Sequence, residues 1–107
     1  MAFGLLAQEP GDLSRALGSS RQRIDNIDVQ IVRLLNERAV IVREVGIVKK
    51  RFHVSASAPG REEEVLRRIS SQARAPLTGD SARTIYRTIL AEMTSMEQRE
   101  MEKAPNQ

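Results

Sequence analysis

An all-α fold is predicted by three observations. Apolar residues recur at spacings of three and four through residues 20–52, no stretch alternates in polarity over the length of a strand, and breaks rich in Pro, Gly and Ser divide the remainder into two further helical segments. The predicted order is a long helix, a short one and a second long one.

The first helix is expected from Ser20 to about Phe52, a stretch without proline. Its apolar stripe is Ile24, Ile27, Ile31, Leu34, Ile41, Val45 and Val48, interrupted by Arg38. At 1.5 Å per residue this helix would be about 45 Å long. A compact monomer of 107 residues is too small to cover it, so the stripe calls for another long helix as partner. Residues 1–19 hold Gly4, Pro10, Gly11, Gly18 and Ser19, a composition that reads as a flexible arm.

The segment from His53 to Gly60 is a break, with Ser55, Ser57 and Pro59. A short charged helix is expected from Arg61 to about Arg74, with Val65, Leu66 and Ile69 turned inward. Pro76 and Leu77 mark a second turn, and Thr78 is positioned to cap a third helix whose stripe is Ile85, Tyr86, Ile89, Leu90, Met93 and Met96. The organisation read from the sequence is an arm over 1–19, a helical domain over 20–101 and a polar tail over 102–107.

Composition narrows the chemistry. The chain has no cysteine and no tryptophan, one tyrosine and one histidine, which excludes disulfides, cysteine-based zinc sites and cysteine nucleophiles. Its 17 basic and 14 acidic side chains are interspersed and give a net charge of +3; with no basic run or aromatic interleaving, nucleic acid is not an expected partner. The apolar stretch Ala2 to Ala7 is too short to span a membrane and lacks a basic lead, so the chain is expected to be cytoplasmic, without a membrane partner. Ser55, Ser57 and Ser81 have no histidine arrangement suited to hydrolysis.

The informative residues are polar ones on apolar lines. Arg38 sits on the stripe of helix 1, one turn after Leu34, where a lone charge is costly unless it is paired or faces a ligand. It either faces a cavity, snorkels past the seam or pairs with a carboxylate. Arg21 and Lys49 lie on one heptad line, roughly 40 Å apart along the helix. They cannot serve one pocket within a chain, but two antiparallel copies of helix 1 would bring Arg21 of one toward Arg38 and Lys49 of the other. Glu62 shares the inward line of Val65 and Ile69, although an acid in a first helical turn is also a plain dipole partner. Glu97 continues the stripe Tyr86, Leu90, Met93, or else occupies an exposed helix end.

Cations and carboxylates directed into one bundle describe a site for a small polyanion that also carries a hydroxyl or ether. Arginine forks suit carboxylates. Electrostatic preorganisation and conformational restraint are then the available catalytic resources.

At these residues the chain resembles a known family. The runs Arg21-Gln-Arg-Ile-Asp-Asn-Ile-Asp28, Leu34-Leu-Asn-Glu-Arg38, Glu44-Val-Gly-Ile-Val-Lys49, Pro59-Gly-Arg-Glu62 and Ile85-Tyr-Arg-Thr-Ile89 onward to Glu97, in this order and at these separations, are similar to the all-helical (type II) chorismate mutases. The resemblance implies an intertwined homodimer that rearranges chorismate to prephenate, in phenylalanine and tyrosine biosynthesis from the shikimate pathway, without a cofactor. It implies a pocket with Arg38, Lys49, Arg61, Glu62 and Glu97 from one chain and Arg21 from the other. Arg21 and Arg38 would clamp the two carboxylates, Glu62 would accept from the ring hydroxyl, Lys49 and a protonated Glu97 would donate to the ether oxygen, and Arg61 would set the charge balance.

Departures from the family pattern are visible too. Glu97 stands where some members have glutamine, so activity is expected to fall as Glu97 ionises. Met93 stands where a small or polar residue is usual, and Ala58 where an aspartate is frequent. An isochorismate-pyruvate lyase and a non-catalytic helical module of the same fold are the alternatives; the lysine's place within a helix, after Val45 and Gly46, favours the mutase. Whether the domain works alone, as part of a bifunctional enzyme or docked on another enzyme of aromatic synthesis is left open by the sequence.

Overall fold

A computed structural model describes residues 10–103 of the chain. These form three helices, α1 (Gly11–Arg51), α2 (Pro59–Gln72) and α3 (Gly79–Met101), in the predicted order long, short, long. The chain divides into two units, residues 1–37 and residues 38–107, and α1 contributes to both.

In the first unit α1 begins at Gly11 rather than at Ser20. The expected arm is therefore helical from Gly11 onward, while residues 1–9 lie outside the described residues. Asp12 favours the positive end of the helix in the first turn and pairs with Arg15 one turn on. The carbonyl of Pro10 accepts the first helical bond from Ser14 N at 3.0 Å. Propensity at Leu13, Ala16 and Leu17 outweighs the penalty of Gly18, about 1 kcal/mol relative to alanine.

The second unit holds the C-terminal turns of α1 together with α2 and α3. Helix α1 ends in a Schellman turn: Val54 N bonds Lys49 O at 3.0 Å and His53 N bonds Lys50 O at 3.2 Å, with His53 left-handed at φ 58°. Helix α2 opens with proline in its first turn and has no side-chain cap at Ala58. Val65 and Leu66 are buried in its packing on α3, with Ala82 opposite, each larger side chain contributing about 1.5–3 kcal/mol. Glu63 pairs with Arg83 across the surface, and that hydrogen bond holds its carboxyl below the ordinary glutamate value.

The connection to α3 contains a cis Ala75-Pro76 bond and a turn closed by Leu77 N to Arg74 O at 2.9 Å. Thr78 caps α3 as expected, its hydroxyl accepting from Ser81 N at 3.0 Å. Gly79 follows because the helices meet there: a Cβ at this position would sit 2.8 Å from Ser70 Oγ.

The apolar side chains buried among the described residues are Ala56, Val65, Leu66 and Ala82. The α1 stripe stays uncovered, from 40% exposed at Val45 to 58% at Leu34, and Ile85 of α3 is also exposed. The predicted stripe is real, but the described residues do not supply its cover.

Candidate active site

Within the second unit, α1, α2, α3 and the segment between α1 and α2 enclose a cleft of about 300 Å³. Arg38, Lys49, Arg61, Glu62 and Glu97 all line it, with Ile41, Val42, Val45, Val65, Leu90 and Met93 as apolar walls. Ala58 and Met93, the two departures from the family pattern, both line it as well.

Gly46 makes the far end of the cleft possible. It is buried in α1, and a Cβ there would meet Glu97 Cγ at 3.2 Å and Glu97 O at 3.5 Å. Glycine lets α3 come this close without displacing the Glu97 side chain seated between the helices. Glu97 is thus the buried charged residue among those described, at 6% exposure, and not a frayed end. Its Oε2 lies 2.8 Å from Lys49 Nζ as an ion pair, but without the alignment of a hydrogen bond. An acid so buried depends on that cation.

Lys49 is held from a second direction, since Nζ donates to the buried Ala56 carbonyl at 2.9 Å. An ammonium has three donors; one goes to Ala56 and a second faces the Glu97 carboxylate, so a third remains for whatever occupies the cleft. The same bond ties the segment after α1 back onto the helix and closes that wall.

Arg38 is half-buried, with Tyr86 as its neighbour on α3. Nε donates to the Tyr86 hydroxyl at 3.2 Å and the guanidinium carbon lies 5.7 Å from the ring centroid. Among the described residues no carboxylate pairs with it, and it lines the cleft. Glu62 is half-buried in the first turn of α2 and accepts from Thr94 Oγ1 at 3.3 Å through Oε2, which leaves Oε1 for a hydroxyl in the cleft. Arg61 is more exposed than expected: it stands at the rim and pairs with Glu64 one turn on. Arg21 lies on an exposed stretch of α1 in the first unit and is not among the lining residues.

Two contributors were not singled out in the sequence. Tyr86 read as an ordinary stripe residue, and Thr94 carried no signal beyond being a polar residue one turn after Leu90. The cleft therefore joins three cations, Arg61 among them at the rim, with two carboxylates and apolar walls, a combination fit to bind a small, partly apolar anion and to steady charge that shifts within it.

A family model described as chorismate mutase type II matches residues 20–98. The chain belongs to this family. The matched stretch contains Arg21, Arg38, Lys49, Arg61, Glu62 and Glu97. Over 77 residues the chain is 39% identical to a bifunctional chorismate mutase/prephenate dehydratase of Neisseria gonorrhoeae, covering 72% of this chain and 21% of that protein. Over 83 residues it is 32% identical to a protein of the same description from Aquifex aeolicus, covering 74% and 23%. The chain thus spans about a fifth of the length of these curated relatives. Among solved structures, the form II chorismate mutase of Thermus thermophilus matches with a TM-score of 0.76 and 26% identity, over 78% of this chain and 96% of that one. The Helicobacter pylori chorismate mutase solved with prephenate shares the fold, with a TM-score of 0.76 and 22% identity over 84% and 98%. Among the described residues no helix is long and apolar enough to cross a membrane.

Proposed function

We propose that this chain is a chorismate mutase acting as a homodimer in the cytoplasm, and that it needs no cofactor. The observation that carries the reading is Arg38: a half-buried guanidinium lining a cleft, with a phenol and, among the described residues, no acid paired with it. Such a cation lacks its counter-charge until an anion enters the cleft, and a carboxylate is the anion its fork fits. Family membership and the neighbouring Lys49–Glu97 pair narrow that anion to chorismate.

In the reaction the ether C–O bond of chorismate breaks as a new C–C bond forms within one cyclic transition state. Electron density moves onto the ether oxygen as its bond to carbon lengthens. Lys49 donates its remaining hydrogen to that oxygen, and Glu97, when a proton on its carboxyl replaces the ion pair with Lys49, supplies a second donor; no proton is lost or gained overall. These contacts strengthen as charge develops, so they act on rate more than on binding. Arg38 and a partner's Arg21 hold the two carboxylates, Glu62 accepts from the ring hydroxyl, and the apolar walls keep the folded conformer in place.

The dimer is supported by the uncovered stripe of α1, whose exposed Ile and Val residues extend on both sides of Arg38. A second α1 laid antiparallel would cover it and would bring a partner's Arg21 to the cleft. Fusion to prephenate dehydratase in the relatives favours a further partner from the same pathway.

Purified protein offered chorismate, and separately isochorismate, with products identified by chromatography, tests the activity. Prephenate from chorismate is the expected outcome. Salicylate with pyruvate from isochorismate would reassign the site to the lyase, and chorismate binding without turnover would make it a non-catalytic module. Mixing Arg21→Ala with Arg38→Ala subunits tests the shared pocket: random re-pairing restores about a quarter of the pockets if Arg21 crosses the interface. A verified heterodimer without recovered activity would refute the crossing.

A further inference from the structure

We infer that Tyr86 is a positioning residue that selects how Arg38 grips its anion. The inference rests on the reading of the cleft as a carboxylate site and adds a residue to it. A guanidinium can take a carboxylate side-on, through Nε and one Nη, or end-on, through its two Nη groups. Here Nε is already engaged, donating to the Tyr86 hydroxyl at 3.2 Å. The side-on face is therefore occupied by protein, and the end-on pair is left for the ligand.

A second contact acts in the same direction. The guanidinium carbon is 5.7 Å from the Tyr86 ring centroid, within the range in which an aromatic face attracts a cation. Ring and hydroxyl together fix a long side chain that no carboxylate among the described residues restrains. Arg38 thus meets its ligand with part of its rotamer freedom already lost, and less ordering remains to oppose binding. The phenol does this without neutralising the charge, which a carboxylate in its place would do.

Helix register makes the pairing specific. Tyr86 lies on the α3 line that continues through Leu90 and Met93, both of which wall the same cleft. The line that builds the apolar wall therefore also carries the hydroxyl that aims the cation.

Removal of the hydroxyl by Tyr86→Phe keeps the ring and the packing. Because Arg38 holds a carboxylate in ground and transition states alike, the effect should fall on affinity: KM for chorismate and Kd for prephenate rise about three- to tenfold, while kcat stays within about twofold. The test is a double-mutant cycle in the full chain with Arg38→Lys, read by steady-state kinetics and by calorimetric binding of prephenate, with thermal unfolding confirming that each variant is folded. Lysine has no N–H at the Nε position, so Tyr86→Phe should change nothing further in that background. Unchanged KM and Kd in Tyr86→Phe, a loss confined to kcat, or an equal loss in both backgrounds would each overturn the inference. Wild-type protein that neither turns over chorismate nor binds prephenate would instead defeat the parent reading, so the two failures are distinct.

Discussion

Gly46→Ala sets two effects of comparable size against each other. Alanine in the interior of α1 gains about 0.8–1.0 kcal/mol in helix propensity over glycine. Its methyl group, however, would stand 3.2 Å from Glu97 Cγ and 3.5 Å from the Glu97 carbonyl and Met101 Cγ. Two of these three atoms are on flexible side chains, so the cost belongs at the low end of the 1–3 kcal/mol typical of overpacking. The expected net change in stability is between about zero and a loss of 1 kcal/mol.

Activity should respond more strongly than stability. Relief of the contact moves the Glu97 side chain by a few tenths of an ångström, and that carboxylate lies 2.8 Å from Lys49 Nζ. Misplacement of catalytic groups by 1 Å can cost a hundredfold in rate, so a shift of this size corresponds to a loss of about three- to tenfold in kcat. Denaturant unfolding gives the stability and the absorbance decay of chorismate gives kcat. A variant that unfolds about 1 kcal/mol later than wild type with full activity would refute the reasoning, because it would mean that α1 and α3 have slack at this point and that Glu97 is not held by it.

Two further predictions follow from single positions. Glu97→Gln offers a donor to the cleft at every pH, and its neutral side chain no longer competes for the Lys49 ammonium; its kcat should hold at pH values where wild-type activity has declined, and superimposable pH profiles would count against a protonated Glu97 in the reaction. His53→Gly places glycine at the one described non-glycine residue with positive φ, 58° at the end of α1, and should stabilise the protein by about 0.5–1 kcal/mol with activity unchanged, as equilibrium unfolding would reveal; destabilisation would mean that the imidazole makes a contact of its own.

How much of this was legible in the sequence depended on whether a residue's role is set along its own helix or across to another. Glu62 and Glu97 stand out because each interrupts or extends an apolar line on its own helix, and the cap at Thr78 is a local matter of one hydroxyl and the N–H three residues on. Tyr86 and Thr94 were illegible for the complementary reason. Nothing along α3 distinguishes a tyrosine that packs from one that holds an arginine, because the difference lies in which turn of α1 faces it. Arg61 illustrates a third case: only the family resemblance places it in the pocket, and it lines the cleft from the rim, paired with an acid three residues on. At the N-terminus the glycines and serines point to an arm, but the helix-forming Leu13, Ala16 and Leu17 outweigh them and α1 starts at Gly11.

The buried Lys49–Glu97 pair is hard to justify as a stabilising element. Its unit buries only four apolar side chains among the described residues, two of them alanines. Taking an ion pair out of water costs several kcal/mol per ion, and a well-packed apolar pair of the same volume would often be the more stable choice. The pair is further burdened by poor alignment, since Glu97 Oε2 has no hydrogen bond, and by a glycine in α1 that exists to make room for it. Three separate costs converge on one cluster that lines a cleft beside an arginine with no counter-ion among the described residues. Stability alone would remove all three, so their joint presence supports the proposal that this cluster acts on a bound anion.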